Sequence, residues 1–148
     1  MSEQLKRNLS LLNQASASSC LVNINHGLEK ESLRIDPTGH IAMTPHPDGL
    51  GSALSHSCIT TDFSEALMEF ITPVFHKPKD SLACLEDIHK FTFTQLDREE
   101  LLWTSSMPCI IGKDEDIPLA QYGSSNSGLL KTLYRRGLGY RYGRTMQT

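Results

Sequence analysis

The chain has 148 residues, of which 39% are hydrophobic, 21% charged and 7% aromatic, and its net charge is −3. This composition is typical of one globular domain and excludes collagenous and strongly disordered chains. A membrane-spanning helix is excluded because no run of roughly 18 apolar residues occurs. The polar and charged start, residues 1–7, is unlike an apolar signal core, so we expect a cytoplasmic protein with no membrane partner.

The first predicted element is a helix over residues 3–15. Leu5, Leu9 and Leu12 recur at helical spacing, with polar residues between them. This pattern predicts an amphipathic helix that packs on the body of the protein, with its leucines in the core.

A hairpin is predicted from about residue 27 to residue 44, with its turn at residues 36–39 (Asp-Pro-Thr-Gly). Residues two apart share a face of a strand, so Glu29 and Glu31 point the same way in the first arm. Neighbouring carboxylates on a partly apolar face repel each other and lose hydration, so they need cations, arginines or protons. Mg²⁺ bound by these carboxylates and by substrate phosphates would meet this need; a solvated strand edge is the other interpretation.

Residues 60–73 are compatible with two different structures. As a helix, they have an apolar stripe and a start resembling a capping box at Asp62 and Glu65, which leaves Glu69 facing water. As a buried strand from about 67 to 72, they place Glu69 on an apolar face, where its carboxylate needs a partner. The segment is short and ends at a proline, so the local pattern leaves both structures open.

Two further helices are predicted. Residues 77–97 begin with a Lys-Pro-Lys-Asp segment, and apolar residues then recur every three positions from Leu82 to Phe91. The polar cluster at 124–127 offers several caps for a last helix that runs through Leu138.

Charge changes sign along the chain. All 17 acidic residues lie within residues 1–116 with nine of the 14 lysines and arginines, so this part has a net charge of −8 and the rest has +5. The basic part interleaves arginines with tyrosines and is suited to an anionic ligand, either nucleic acid or a small phosphorylated or carboxylate molecule. Because the longer part of the chain is acidic, we expect no nucleic-acid partner.

Several common catalytic and metal motifs are absent from the sequence. There is no P-loop, no GxGxxG, no GxSxG, and no zinc spacing among the six histidines. The four cysteines are far apart, so we expect buried free thiols: Cys20, Cys58, Cys84 and Cys109.

The chain resembles the bacterial glutamate–cysteine ligase family, also called γ-glutamylcysteine synthetase. The resemblance is carried by residues 27–34 (GLEKESLR), 60–73 (TTDFSEALMEFITP), 106–109 (SMPC), 119–126 (LAQYGSSN) and the basic segment from Lys131 to the last residue. It covers essentially the whole chain from about residue 20. Members of the family are much longer, so the resemblance implies that residues 1–148 are a single, incomplete amino-terminal portion of a catalytic domain, which agrees with the abrupt end of the chain.

The resemblance implies an α+β fold like that of glutamine synthetase, in which an antiparallel sheet forms a funnel with metal-binding carboxylates on its inner face. It also favours a strand around Glu69. By the same resemblance, the metal-binding acids are Glu29, Glu31, Asp62 and Glu69.

The resemblance also assigns substrate contacts. The cysteine-binding wall corresponds to Phe63, Tyr134, Leu138 and Gln147, and Arg135 is the catalytic residue that faces the anionic substrates.

The implied reaction joins the γ-carboxylate of glutamate to the amino group of cysteine through a γ-glutamyl phosphate, with ATP as substrate and Mg²⁺ as cofactor. Phosphoryl transfer needs position and countercharge rather than a protein nucleophile, so the missing serine or cysteine nucleophile is expected. The implied partners are glutamate, cysteine and ATP, and the complete ligase is expected to be a monomer. The alternative is an inert truncated chain that keeps only part of the metal and substrate site.

Overall fold

A computed structural model describes residues 2–14, 22 and 24–148. In chain order the elements are α1 (Glu3–Gln14), β1 (Glu29–Ile35), β2 (Ile59–Thr61), β3 (Leu67–Ile71), α2 (Pro78–Gln95), β4 (Leu101–Leu102) and α3 (Asn126–Tyr142). Short 3₁₀ turns at Asp48–Leu50 and Asp114–Asp116 lie in the connecting loops.

The four strands form one antiparallel sheet in the order β2-β3-β1-β4. β1 is central and pairs along its first half with β3, in a register that places Glu29 opposite Ile71 and Glu31 opposite Glu69. Its end pairs with β4 through Arg34 and Ile35. This α+β architecture with an antiparallel sheet confirms the predicted fold class.

One face of the sheet is covered by α2. The buried side chains between them come from β2, β3, β4 and α2 and include Ile59, Met68, Phe70, Leu85 and Leu102. Because this core fills one face, the acidic residues of β1 and β3 are left on the opposite face.

The opposite face is divided into an apolar end and an acidic end. Leu33, Ile35 and Leu67 lie in a second core with Cys109 and Ile117. The start of β1 lies outside this core, since Glu29 and Glu31 are exposed while the four residues from Ser32 to Ile35 are buried.

A buried arginine holds the apolar end of β1 to three other segments. Arg34 is fully buried and donates to Glu100 at 3.0 and 3.1 Å, to Oγ1 of Thr44 at 2.7 Å and to the carbonyl oxygens of Thr44 and Glu65 at 2.8 and 2.9 Å. Because these bonds end on three separate segments of the chain, Arg34 fixes where the acidic strand lies.

The three predicted helices form at the predicted positions. α1 forms as predicted, yet none of its described residues is buried and Leu5 and Leu9 are each 45% exposed, so the expectation of core leucines is wrong. On α2 the buried positions are Ser81, Leu85 and Thr92, and α3 begins after its cap residue in the predicted polar cluster.

The predicted hairpin is present as a tight turn with one short arm. The Asp36 amide donates to the His40 carbonyl at 2.9 Å, and Gly39 has φ +88°. The returning segment forms only an isolated bridge between Ile41 and Ile35. The same short segment, residues 39–41, also pairs with Ile110, and the rest of the second arm forms no strand.

The cysteine prediction is confirmed in part. Cys58, Cys84 and Cys109 are free, but only Cys109 is fully buried, and Cys20 lies outside the described residues. No helix in the described part of the chain has the length and apolar character needed to cross a membrane.

Candidate functional site

The candidate site is built around two glutamates on neighbouring strands. Glu31 of β1 and Glu69 of β3 are directly opposite each other, so their side chains leave the same face of the sheet. Thr60, opposite Glu69 on β2, donates its hydroxyl to Oε2 of Glu69 at 2.9 Å. Glu29 lies two positions before Glu31 and therefore shares this face.

Asp62 connects this acidic face to α3. Its carboxylate forms a half-buried ion pair with Arg135, and its backbone carbonyl accepts a hydrogen bond from the Tyr122 hydroxyl. Burial raises the pKa of Tyr122, which keeps the phenol protonated as a donor. The Nε atom of Arg135 is buried without a hydrogen-bond partner, so this arginine keeps a donor for a further anionic or carbonyl oxygen.

The raised pKa of Glu31 shows that these residues act on one another. Desolvation is the largest cause of this raised pKa, and the negative charges of Asp62, Glu69 and Glu29 follow. The positive charge of Arg135 acts in the opposite direction and lowers the pKa. The four carboxylates and the arginine are therefore close enough to act on one another. Three carboxylates stay without a positive partner in this group, since Arg135 already pairs with Asp62.

Lys30, between the two glutamates in sequence, does not supply the missing charge on this face. Its ammonium group donates to Ser32 at 2.9 Å and lies 5.6 Å from the centre of the Phe70 ring, on the side of α2. Burial lowers the pKa of Lys30 there.

The donor set suits a hard divalent cation. Excess carboxylate oxygens around Glu31 are the ligands that Mg²⁺ prefers, and a bound cation would relieve their repulsion. As the side chains stand, no group of three or more histidine, cysteine or acidic residues in the described chain is already arranged to hold a metal ion. The assignment of Glu29, Glu31, Asp62 and Glu69 as metal ligands therefore stays a prediction.

A cavity of about 270 Å³ lies beside Glu31. Its other walls come from strands β1 and β3, from the loop after β4 and from the end of the chain: Ser32, Leu33, Leu67, Trp103, Ser105, Ser106, Met107, Pro108, Thr145 and Thr148. The Trp103 indole donates to the Met107 carbonyl, which closes the loop into a defined wall. Glu31 thus borders this partly open cavity.

The end of the chain is held against this cavity by Asp114. Its carboxylate accepts hydrogen bonds from the amide and the hydroxyl of Thr145 at 2.9 and 3.0 Å, and these bonds lower the pKa of Asp114. Arg144 donates to the carbonyl oxygens of Glu115 and Ile117, each at 2.8 Å.

The predicted cysteine-binding residues lie along and beyond α3. Phe63 is fully buried, and its ring lies 3.5 Å from the position that a Cβ would take at Gly139. Leu138 and Gln147 are half-buried, whereas Tyr134 is exposed. Their role in binding cysteine stays a prediction.

Sequence reasoning missed two residues that organise the site. Glu65, assigned above to a capping box, is a buried carboxylate that accepts the amides of His46 at 2.9 Å and Gln121 at 2.6 Å. Tyr122 positions Asp62. Both lie inside segments that carry the resemblance, but their partners are distant in sequence and no local spacing indicates them.

Comparison with known proteins identifies the family. The model of the glutamate–cysteine ligase family matches residues 9–148. The chain is 54% identical to the glutamate–cysteine ligase of Alcanivorax borkumensis over 99% of its own length and 28% of that protein. It is 59% identical to that of Saccharophagus degradans over 86% of its length and 24% of that protein, so it spans about a quarter of these relatives.

Two solved structures are similar to the fold. The glutamate–cysteine ligase of Francisella tularensis in complex with AMP has a TM-score of 0.82 and 41% identity, and the match covers 85% of this chain and 25% of that one. A bifunctional glutathione synthetase from Pasteurella multocida has a TM-score of 0.75 and 33% identity, over 92% of this chain and 17% of that one. With a family match over nearly its whole length, the chain belongs to the glutamate–cysteine ligase family.

Proposed function

We propose that the chain is the part of a glutamate–cysteine ligase that carries the acidic metal face, and that the complete enzyme joins glutamate to cysteine at the expense of ATP. The γ-phosphoryl group of ATP moves to the γ-carboxylate of glutamate, which releases ADP and gives γ-glutamyl phosphate. The amino nitrogen of cysteine then displaces phosphate and loses a proton, which forms the amide.

The carboxylates of the acidic face have one task in this proposal. Glu29, Glu31, Asp62 and Glu69 would hold Mg²⁺, which would neutralise charge on the phosphates of ATP. Thr60 restrains the Glu69 carboxylate through its hydrogen bond. Because β1 and β3 are paired in a fixed register, Glu31 and Glu69 stay on one face without any contribution from a loop.

Arg135 has a second task, which is to bind and orient an anionic substrate oxygen. Its ion pair with Asp62 fixes the guanidinium beside the acidic face, and its Nε is one donor that has no partner. The AMP bound to the Francisella tularensis relative supports nucleotide use by this family.

The feature that carries the proposal is the direct opposition of Glu31 and Glu69 beside Asp62 and Glu29. Like charges placed opposite each other in a sheet destabilise it, so this arrangement costs stability unless a cation is bound.

The chain alone is expected to be inert. It spans about a quarter of its curated relatives, and the acidic face is open along Glu29 and Glu31. Without walls around the nucleotide, bound substrates would not be held in reacting geometry. The 148-residue chain should therefore bind divalent cations weakly and release no phosphate from ATP.

A chimeric enzyme tests the proposal. The chain replaces the matched segment of the Alcanivorax borkumensis relative, and phosphate release is followed with ATP, Mg²⁺, glutamate and cysteine. We expect phosphate release only when all four are present. In Glu31→Gln or Glu69→Gln the rate of phosphate release should fall by at least about 100-fold. Glu86→Gln is the matched control, since Glu86 is an exposed acid on α2 paired with Lys90. A folded chimera without activity, or one in which Glu31→Gln equals the control, would contradict the proposal.

We also place the ligase in the cytoplasm. The free thiols of Cys58, Cys84 and Cys109 support a reducing compartment. A monomeric complete enzyme stays a prediction.

A further inference from the structure

The helix α3 contacts the rest of the molecule through Gly128, Lys131 and Arg135. A Cβ at Gly128 would lie 2.3 Å from the Tyr122 carbonyl oxygen, so only glycine allows this approach. The ammonium of Lys131 lies 4.2 Å from the centre of the Tyr122 ring, and Arg135 pairs with Asp62.

The apolar residues of α3 lie on the other side. Leu129, Leu130, Leu133 and Tyr140 are all exposed, Leu130 by 68% and Leu133 by 62%. A Cβ added at Gly137 would meet nothing within 4 Å, which places this position on the same outward side. Leu130, Leu133, Gly137 and Tyr140 are spaced three and four apart, and together with Leu129 they form what we call the outer face of α3.

A helix normally buries its apolar stripe and exposes its charged residues. In α3 the inner contacts are made by Gly128, Lys131 and Arg135, while leucines and a tyrosine face outward. Contiguous exposed apolar surface of this kind marks a site of contact with another macromolecule.

The charges around the outer face restrict what can cover it. α3 contains no acidic residue, and Arg136 and Arg141 flank the apolar positions. Neither arginine is in an ion pair with any residue that the structure describes. A complementary surface is therefore apolar at its centre and carries carboxylates at its edge.

We propose that the outer face of α3 is an interface for the part of a glutamate–cysteine ligase polypeptide that lies outside the matched region. The family match includes all of α3, and the relatives contain much more polypeptide than the 24–28% that this chain covers. The inference rests on family membership and on the orientation of α3, not on the proposed activity.

A second copy of the chain fits this face less well. Self-association through α3 would bring the basic residues of two helices together with no carboxylate on either helix to pair them. A lipid surface is the other possible occupant, since a basic helix with an apolar face can bind anionic membranes.

Co-expression tests the proposal with the full 148-residue chain. The partner is the polypeptide of the Alcanivorax borkumensis relative outside the matched segment, and size-exclusion chromatography with light scattering measures the product. We expect a one-to-one complex, and we expect Leu130→Glu with Leu133→Glu to weaken it by at least about 100-fold.

Leu82→Glu is the matched control. Leu82 is a helical leucine that is 61% exposed on α2, so its substitution should change affinity by no more than about threefold. Tyr140→Glu, at the far end of the outer face and 85% exposed, is the second variant and decides the result if the double variant does not fold.

Three results would overturn the proposal: no complex with the unsubstituted chain, a dimer of the chain that Leu130→Glu with Leu133→Glu abolishes, or binding to phosphatidylglycerol vesicles that the same variant abolishes. A stable complex that releases no phosphate would support the interface and contradict the ligase function, so the two proposals fail separately.

Discussion

The Glu31 carboxyl group lies opposite that of Glu69, and its raised pKa follows from desolvation and from three neighbouring carboxylates. An acid whose pKa is raised in the folded state opposes folding when it is ionised. This cost is present above the folded-state pKa and is relieved as pH falls through it.

Glu31→Gln should therefore stabilise the metal-free chain near neutral pH. We expect a gain of about 0.5 kcal/mol in the free energy of unfolding, a value that allows for solvent screening at this exposed residue. Urea denaturation near pH 7 and near pH 4 measures it. The gain should disappear at the lower pH, and a variant that is less stable than the unsubstituted chain near pH 7 would show that Glu31 is not repelled by its neighbours.

Arg34 contrasts with Glu31, because the charge of Arg34 is balanced by a carboxylate partner, whereas Glu31 has like charges around it. Its guanidinium is buried, pairs with Glu100 and also donates to Thr44 and Glu65. Arg34→Met leaves the Glu100 carboxylate without its partner, and we expect a loss of about 3–5 kcal/mol in urea denaturation. Adding Glu100→Gln should recover part of this loss; if the double variant loses the sum of the single losses, the two residues are not coupled.

At the scale of the element, α3 offers two glycines in opposite settings. Gly128→Ala places a Cβ 2.3 Å from the Tyr122 carbonyl oxygen, so the helix must move away and we expect a loss of about 2 kcal/mol. Gly137→Ala meets nothing within 4 Å, and the better helix propensity of alanine should add about 0.8 kcal/mol. Thermal or urea unfolding of both variants checks the pair, and equal effects would contradict the orientation of α3 described above.

The elements differ in how far sequence alone predicts them. All three helices were predicted from spacing and caps, but the pattern cannot say which side of α3 faces inward, because its inner contacts are made by Gly128, Lys131 and Arg135. The sequence pattern also fails to predict the burial of α1, because its leucines have helical spacing and yet are exposed.

The segment from Leu67 to Ile71 shows a different limit. Its apolar residues fit a helical stripe as well as a strand, and the strand forms because β1 and β2 supply hydrogen-bonding partners on both sides. Such partners are distant in sequence, so local periodicity left the choice open, and the family resemblance gave the correct result. The alternation of strand residues predicts that Glu29 and Glu31 share a face, which the structure confirms, whereas the register that brings Glu69 to the same face is not readable from local pattern.

At the scale of the whole molecule, the acidic face and the basic α3 meet at one ion pair, between Asp62 and Arg135. The acidic and the basic part of the sequence are thus brought together in the fold. The carboxylates around Glu31 still outnumber the positive charges beside them. A divalent cation that binds the folded chain and not the unfolded chain must stabilise it.

Mg²⁺ should therefore raise the free energy of unfolding by about 1.4 kcal/mol at a concentration of about ten times its dissociation constant. Chelation should reverse the gain, and Glu69→Gln should reduce it. An equal gain from the same ionic strength of NaCl would show that screening, not binding, is responsible.

The most direct measurement locates a paramagnetic ion on the chain. Mn²⁺ is titrated into the ¹⁵N-labelled protein, and line broadening of amide resonances identifies the nearest residues. We predict that broadening begins at Glu29, Glu31, Asp62 and Glu69 and is lost in Glu31→Gln but not in Glu86→Gln. Broadening that begins instead at the acidic loops 97–100 or 114–116, or that Glu31→Gln leaves unchanged, would contradict a metal site on the sheet.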